Sequence, residues 1–320
     1  MYKEKKVAVV IPVYNEESLI LKVLQTIPGF VDSILVVDDK STDSSKNIVE
    51  QYISSAKKNI LLIEHSVNKG VGAAIISGYR KAIEMNLDIA AVMAGDGQMD
   101  PGDLPALLQP LIHGGVDYVK GNRLFTGEVW HIMPKIRYLG NSLLSLFTKI
   151  ASGYWHIADS QTGYTAISLQ CLQKMHRANL LDRIYPRYGM PNDMLVRLNV
   201  INARVVDVPI TPVYNIGEQS GIRLRKVIPT LSFLLLRRFF WRMKEKYIIR
   251  DFHPLIFFYG IAFILITVDI PLIYRAFFIG VTTGNIPPIN MLTVTFITIM
   301  AVQFLLFAMW FDMESNKDLK

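Results

Sequence analysis

Short apolar runs alternate with polar loops along the first two-thirds of the chain. Four such runs lie at residues 7–12, 33–37, 60–64 and 89–94, and helix-like segments follow the polar loops after them. Continuous apolar runs are typical of strands buried on both faces of a parallel sheet. Strands that alternate with helices indicate βαβ units. The pattern therefore predicts an α/β domain built on a mostly parallel sheet.

The polar loops after these four runs carry acidic, amide and glycine residues. In chain order they contain Pro12-Val13-Tyr14-Asn15-Glu16, Asp38-Asp39, Asn68-Lys69-Gly70 and Gly95-Asp96-Gly97-Gln98. The carboxyl ends of parallel strands meet at one edge of the sheet, where open α/β sheets bind ligands. We therefore expect the four loops to converge on one site. A plain turn remains the alternative for each loop taken alone, as for any Asp-Gly that follows a strand.

The fourth loop points to a metal ion. Side-chain oxygens such as those of Asp96 and Gln98 suit a hard cation, Mg²⁺ or Mn²⁺, and such a cation in turn holds phosphate groups. The sequence thus predicts Asp96 and Gln98 as metal ligands and Mg²⁺ or Mn²⁺ as the cofactor.

Two long apolar segments dominate the end of the chain, at residues 255–274 and 291–311. Each has about the 20 residues that a helix needs to cross a bilayer. The chain of 320 residues is 51% hydrophobic with a mean hydropathy of +0.29, which is too apolar for an ordinary soluble domain. The glycines and prolines between the segments favour a turn. We predict a transmembrane hairpin; a pair of buried core helices is the alternative.

The positive charges cluster just before the first apolar segment. Of the net charge of +7, a large share comes from Arg237, Arg238, Arg242, Lys244, Lys246 and Arg250, whereas only Arg275 lies between the two segments. The positive-inside rule then places the N-terminal domain and the C-terminal tail in the cytoplasm. Anionic lipid or a lipid phosphate is a simpler partner for this cluster than nucleic acid. The single Cys171 excludes an internal disulfide.

The segment at residues 227–249 mixes these cations with leucine, phenylalanine and tryptophan. This mixture indicates an amphipathic helix at the membrane surface, with its cations near lipid phosphates. An ordinary helix packed on the preceding domain is the alternative. The predicted organisation is a cytoplasmic catalytic domain at 1–225, a membrane-surface helix at 226–252, and a transmembrane hairpin with a short tail at 253–320.

Taken in order, the four polar loops resemble the motifs of family 2 glycosyltransferases of the GT-A fold, over roughly the first 220 residues. Within that family the chain is most similar to the polyprenyl-phosphate glycosyltransferases, the dolichol-phosphate mannose synthase group. The segments behind this choice are Gly121-Asn122-Arg123, Arg137 with Gly140-Asn141, Asp159-Ser160-Gln161-Thr162-Gly163-Tyr164, and Val208-Pro209-Ile210. One position departs from the family: Ala94 stands where its metal motif usually begins with an aspartate.

The resemblance implies a Rossmann-like GT-A domain that moves one hexose, with inversion, from a nucleotide sugar of the GDP-mannose or UDP-glucose type. The implied acceptor is a polyprenyl phosphate, dolichyl or undecaprenyl, at the cytoplasmic face of the membrane. Two alternatives stay open. The acceptor could be a glycolipid or polysaccharide hydroxyl, or the protein could bind nucleotide sugars without catalysis, a hypothesis that only Ala94 supports. The sequence leaves the oligomeric state open, a homo-oligomer included.

The resemblance also implies roles for single residues. Contacts with the nucleotide sugar are expected from Pro12, Tyr14, Asn15, Glu16, Asp38, Asp39, Lys69, Gly70 and Asp96. Contacts with the acceptor phosphate are expected from Arg123, Arg137, Asn141, Ser220, Arg223 and Arg225, and catalytic roles from Asp159, Arg123 and Arg137.

Structural alternatives accompany several of these roles. Asp38 could cap a helix, Asp159 could form a turn, and each arginine could be a surface charge. Asn192-Asp193 lies where related enzymes often carry an acid, and residues 214–221 form a loop that could act as a lid.

Overall fold

The computed structural model describes residues 1–125, 135–211, 213 and 224–320, without the side chains of residues 136, 137 and 224–226. The chain divides into two compact units. The first comprises Met1–Phe239 together with Leu319–Lys320, and the second comprises Phe240–Asp318.

A seven-stranded mixed sheet lies at the centre of the first unit. Its strands are β1 (Val7–Val13), β2 (Ser33–Asp38), β3 (Ile60–Glu64), β4 (Ile89–Val92), β5 (Tyr118–Asn122), β6 (Thr165–Ser168) and β7 (Val205–Pro209). They are arranged in the order β3-β2-β1-β4-β6-β5-β7. Strand β6 runs antiparallel to both of its neighbours, and the other pairs are parallel. The four apolar runs of the sequence are therefore four adjacent parallel strands.

Helices connect these strands and cover the sheet. They are α1 (Ile20–Thr26), α2 (Ser45–Ser55), α3 (Val71–Glu84), α4 (Leu104–His113), α5 (Lys135–Ser152), α6 (Leu169–Arg177), α7 (Met190–Val200) and α8 (Leu224–Lys244). Short 3₁₀ turns lie at Pro101–Asp103 and Leu181–Arg183. Helix α8 begins in the first unit, and its last residues belong to the second.

Strand β1 is buried on both faces, which explains its unbroken apolar sequence. Val9 and Ile11 lie on one side and Ala8 and Val10 on the other, all fully inaccessible to solvent. Helix α3 approaches β1 so closely that a Cβ on Gly78 would lie 2.3 Å from Cγ1 of Val10. The glycine is therefore a requirement of helix–sheet packing in the centre of the domain.

The second unit holds a π-helical turn, Glu245–Arg250, and the helices α9 (Leu255–Thr283) and α10 (Pro288–Ser315). Both helices exceed the predicted spans, and within the described chain these two are long and apolar enough to cross a membrane. Most of their residues are exposed, unlike those of buried core helices. The hydroxyl of Thr298 donates a hydrogen bond to Asp269 Oδ2 at 2.5 Å, so this carboxylate in an apolar segment has a partner on the neighbouring helix.

A buried polar cluster also lies within the second unit. Arg242 forms a two-pronged ion pair with Asp312, at 2.9 and 2.8 Å, and Tyr247 donates to the same carboxylate at 2.7 Å. Lys246 Nζ donates to Asn316 Oδ1 at 2.7 Å. The prediction that the cations of this segment lie near lipid phosphates is therefore wrong for Arg242 and Lys246. Both are buried, because acids and amides far along the sequence partner them.

Candidate active site

A cavity of about 520 Å³ opens at the edge of the sheet where β1, β2, β4 and β5 end. Its volume lies in the range of small-molecule sites. The residues that carry its polar chemistry are Tyr14, Glu16, Asp39, Asn68, Asp96, Gln98, Arg123, Gln161, Thr162, Arg187 and Tyr188. The loops predicted to converge do meet here, because parallel strands deliver their carboxyl ends to one edge.

Two acids, Glu16 and Asp96, lie near each other in the wall of this cavity. Glu16 packs its side chain beside Gly95, where an added Cβ would lie 3.5 Å from Glu16 Cγ. Burial, followed by the nearby charges of Asp96 and Asp43, raises the pKa of Glu16 to about 7. Neighbouring carboxylates in a partly buried site raise each other's pKa until a positive charge joins them. This part of the cavity is therefore suited to a cation.

The donor set fits Mg²⁺ or Mn²⁺. Asp96 and Gln98 both line the cavity, and the backbone N–H of Gln98 donates to Asp96 Oδ1 at 3.0 Å. The described residues contain no group of three or more His, Cys, Asp or Glu side chains that could hold a metal alone. Magnesium commonly takes one or two protein carboxylates and completes its shell with water and substrate phosphates. A site with few protein ligands, in which Ala94 supplies none, matches this way of binding magnesium.

Asp39 shapes the third loop. Its buried carboxylate accepts hydrogen bonds from the backbone N–H groups of Lys69 and Gly70, at 2.9 and 2.7 Å. His65 Nδ1 lies 2.7 Å from the same carboxylate. Gly70 adopts φ +96°, which an L-residue tolerates poorly. The carboxylate thus fixes a glycine turn against the cavity wall, and Asp39 itself reaches the cavity.

Asp38 and Asn15 stabilise loops beside the cavity. The carboxylate of Asp38 accepts from the backbone N–H of Ser41 at 3.2 Å, so it closes the turn after β2. The side-chain oxygen of Asn15 accepts from the backbone N–H of Thr42 at 2.8 Å and joins the first loop to the second. The family resemblance implies contacts between these two side chains and the nucleotide sugar, whereas in the structure both accept hydrogen bonds from the backbone of the second loop.

Arg123 and Asp159 form an ion pair across 36 residues of sequence. The guanidinium donates from Nε at 2.7 Å and from Nη2 at 3.1 Å. Burial would raise the pKa of Asp159, but Arg123, together with the Lys120 ammonium, holds it below its usual value. A carboxylate this acidic and this well bonded is a poor proton acceptor. Asp159 instead orients Arg123, which lines the cavity.

The predicted site residues fall into three groups. Those that line the cavity are Pro12, Tyr14, Glu16, Asp39, Gly70, Asp96, Gln98 and Arg123. Those in the described chain that lie outside its wall are Asn15, Asp38, Lys69, Asn141 and Asp159. The whole 214–221 loop with Ser220, Arg223, and the side chains of Arg137 and Arg225 lie outside the described residues.

Asn192-Asp193 is buried behind the cavity. Asp193 is completely inaccessible and pairs with Arg197 and Arg238, at 3.2 and 2.7 Å. Asn192 donates to the Thr148 hydroxyl at 2.7 Å. An acid so enclosed cannot reach a substrate, so its position in the motif serves the packing of the loop before α7.

Sequence reasoning missed the loop that carries Arg187 and Tyr188, both of which line the cavity. No apolar run ends there and no glycine pair marks it. No pattern in the sequence marks this loop, because the contacts that hold it join it to helix α3 and to the buried Asp193.

A model of the family described as "Glycosyl transferase family 2" matches residues 8–175, just over half of the chain. The matched region contains β1 to β6 and most of the polar cavity wall. The chain belongs to glycosyl transferase family 2. The family predicted from the strand-end motifs is therefore confirmed.

Curated relatives in this family act on lipid phosphates. The chain is 32% identical to the UDP-N-acetylglucosamine–dolichyl-phosphate N-acetylglucosaminyltransferase of Methanococcus voltae, over 66% of this chain and 87% of the relative. It is also 32% identical to the undecaprenyl-phosphate mannosyltransferase of Micrococcus luteus, over 64% of this chain and 83% of that one.

A solved structure confirms the GT-A-like fold. The glucosyl-3-phosphoglycerate synthase of Mycobacterium tuberculosis, determined with uridine diphosphate, superposes with a TM-score of 0.52 and 20% identity. The superposition covers 75% of this chain and 80% of that one. Another structure of the same enzyme contains Mg²⁺ and uridine diphosphate, with a TM-score of 0.51. At this identity the likeness concerns the fold.

Proposed function

We propose that this family 2 glycosyltransferase moves one hexose from a nucleotide sugar to a polyprenyl phosphate, at the cytoplasmic face of the membrane that holds α9 and α10. The observation that carries the proposal is the cavity itself. Its wall contains the acids Glu16 and Asp96 together with the arginines Arg123 and Arg187, at the strand ends where open α/β sheets bind ligands. Relatives that use dolichyl and undecaprenyl phosphate support the acceptor class.

The acidic and basic residues of the cavity would have different roles. Asp96 and Gln98 would hold Mg²⁺ or Mn²⁺, which neutralises charge on a leaving diphosphate when bound. Pro12, Tyr14 and Asp39 would enclose the nucleotide. Arg123, held in place by Asp159, would bind phosphate oxygens through its planar fork.

A phosphate acceptor removes the need for a strong general base. It is largely ionised near neutral pH and already nucleophilic, and Asp159 is too acidic to serve as a base. Attack by that phosphate on the sugar would invert the anomeric centre. The donor nucleotide and the hexose stay open among GDP-mannose, UDP-glucose and UDP-N-acetylglucosamine.

A transfer assay on the full-length protein in detergent tests the proposal. Each labelled donor would be supplied in turn with dolichyl or undecaprenyl phosphate and Mg²⁺ or Mn²⁺. We expect label to enter the organic phase with one donor. Asp96→Asn should lower that rate about 100-fold, because the loss of a metal ligand weakens charge neutralisation at the leaving group.

Asp182→Asn is the matched control, since Asp182 is an exposed acid paired with Arg80 away from the cavity. It should retain the rate of the unmodified protein. Lipid labelling that is absent with every donor, while nucleotide still binds, would contradict the proposed acceptor. That result would favour a hydroxyl acceptor or a binding function.

A further inference from the structure

The loop between the Leu181–Arg183 turn and helix α7 brings a second arginine into the cavity. Arg187 and Arg123 are the arginines that line it within the described chain. Arg123 is paired with the buried Asp159. Arg187 is exposed, and no described acid lies within ion-pair distance of its guanidinium. Its charge is therefore available to an anion that enters the cavity.

The loop rests directly on the glycine turn of the third motif. A Cβ on Gly70 would lie 2.5 Å from the carbonyl oxygen of Pro186 and 2.9 Å from Cγ of Arg187. A Cβ on Gly72 would lie 2.6 Å from the carbonyl oxygen of Tyr185. These approaches place the stem of Arg187 beside a turn that the bound nucleotide sugar is proposed to contact.

Backbone hydrogen bonds fix the loop at its centre. The N–H of Ala73 donates to the carbonyl of Pro186 at 3.1 Å, and the N–H of Met190 donates to the carbonyl of Arg187 at 2.9 Å. The first bond joins the loop to helix α3, and the second folds it into the start of helix α7. The position of the Arg187 backbone is thus defined on both sides.

Asp193 fixes the same loop from behind. Its fully buried carboxylate accepts from the backbone N–H of Tyr185 at 2.7 Å. Arg197 Nε, at 3.2 Å, and Arg238 Nε, at 2.7 Å, compensate its charge. Arg197 also donates from Nη2 to the carbonyl of Arg183. A buried carboxylate is retained at this cost in desolvation only with such complete pairing.

We propose that Arg187 binds a phosphate group of the substrates in this cavity and that Asp193, with Arg238, positions the loop that carries it. The inference rests on the proposed function for the identity of the substrates. The ligand chemistry is a phosphate oxyanion, which a guanidinium matches with paired N–H donors. It can come from the diphosphate of the donor or from the phosphate of the lipid acceptor.

Binding and kinetics of Arg187→Gln separate these two sources. UDP and GDP would be titrated calorimetrically into the full-length protein with Mg²⁺, and the KM for undecaprenyl phosphate would be measured in the transfer assay. We expect a 10- to 100-fold loss, the range for a hydrogen bond to a charged group. A loss in nucleotide affinity assigns Arg187 to the donor, and a rise in KM alone assigns it to the acceptor.

Arg183→Gln is the matched control, since Arg183 is an exposed arginine four residues away that does not line the cavity. It should leave both constants unchanged. The inference is overturned if Arg187→Gln changes neither the nucleotide affinity nor the KM for undecaprenyl phosphate. It is also overturned if no nucleotide binds the unmodified protein and Arg187→Gln leaves the KM for undecaprenyl phosphate unaffected. Loss of nucleotide affinity in a protein that transfers no sugar would preserve the inference and contradict the proposed function instead.

The positioning role is tested by Arg238→Gln, which leaves Arg197 to compensate Asp193. If Arg238 acts through Arg187, the double variant Arg187→Gln/Arg238→Gln should match the Arg187→Gln variant in the affected constant. Arg238→Lys should restore part of the loss. Additive losses in the double variant would show that Arg238 does not act through Arg187, and would overturn the positioning role.

Discussion

At the scale of single residues, acids in and around the cavity have two distinct tasks. Glu16 and Asp96 face the cavity, whereas Asp159 and Asp193 face guanidinium groups behind its wall. The sequence could identify all four as candidates, because Glu16 and Asp96 follow apolar runs and the family resemblance marks Asp159 and Asp193. It could not assign the tasks, since the pairs Arg123–Asp159 and Arg238–Asp193 join residues distant in sequence.

The pairing of Asp159 predicts a stability that depends on pH. Its pKa is lower in the folded protein than in the unfolded chain, so its contribution is complete above about pH 5 and is lost as the pH falls through the folded value. Asp159→Asn leaves Arg123 without its counter-charge and should destabilise the protein by about 3 kcal/mol at pH 7.5.

Thermal unfolding in detergent measures this effect. The Tm of Asp159→Asn should be lower than that of the unmodified protein by about 5 °C or more at pH 7.5. The gap should narrow at about pH 3, below the pKa of this carboxyl in the unfolded chain. Asp182→Asn, which removes an exposed pair, should change the Tm little at either pH. A gap of equal size at both pH values would exclude the ion pair as its cause.

At the scale of elements, the predictability of each strand follows from its burial. Strands β1 and β4 are apolar along their whole length, β2 and β3 are apolar except at their ends, and all four were predicted from these apolar runs. Strand β5 contains Lys120, which is fully buried and donates to the carbonyl of Thr162 at 2.8 Å. A lysine in a buried strand hides the strand from pattern reasoning, because its partner is not local. The antiparallel β6 is only four residues long and begins and ends with hydroxyl residues.

Helix α3 illustrates an element whose packing overrides its local preference. Alanine would favour the helix over glycine by about 1 kcal/mol at position 78. Its Cβ would, however, lie 2.3 Å from Val10 Cγ1, in the fully buried centre of β1. Forced expansion of a packed core costs about 1–3 kcal/mol. Gly78→Ala should therefore lower the Tm, in spite of the gain in helix propensity.

Gly29→Ala is the matched control for this prediction. Gly29 is exposed, has no neighbour within 4 Å of an added Cβ, and does not have a positive φ. It should leave the Tm unchanged within about 1–2 °C or raise it slightly. An equal or higher Tm for Gly78→Ala would show that α3 can move away from β1 at little cost.

At the scale of the whole molecule, charge and hydropathy identify both the apolar helices and their expected orientation. Composition predicted the helices α9 and α10 but not their full length, because their ends continue in a helix past the most apolar residues. The basic cluster before α9 is only partly available to lipid, since Arg242 and Lys246 are buried with Asp312 and Asn316. Its remaining cations, against the single Arg275 of the hairpin, still favour a cytoplasmic N-terminal domain.

Cysteine labelling in intact cells tests this orientation. Cys171 is the single cysteine and is buried, so Cys171→Ser supplies a background without reactive thiols. On that background, Asn285→Cys in the link between α9 and α10 should react with a membrane-impermeant maleimide from outside. Ser54→Cys and Asp318→Cys should react only after permeabilisation, because the positive-inside rule places both on the cytoplasmic face. Labelling of Ser54→Cys in intact cells would reverse the orientation and place the cavity away from cytoplasmic nucleotide sugars.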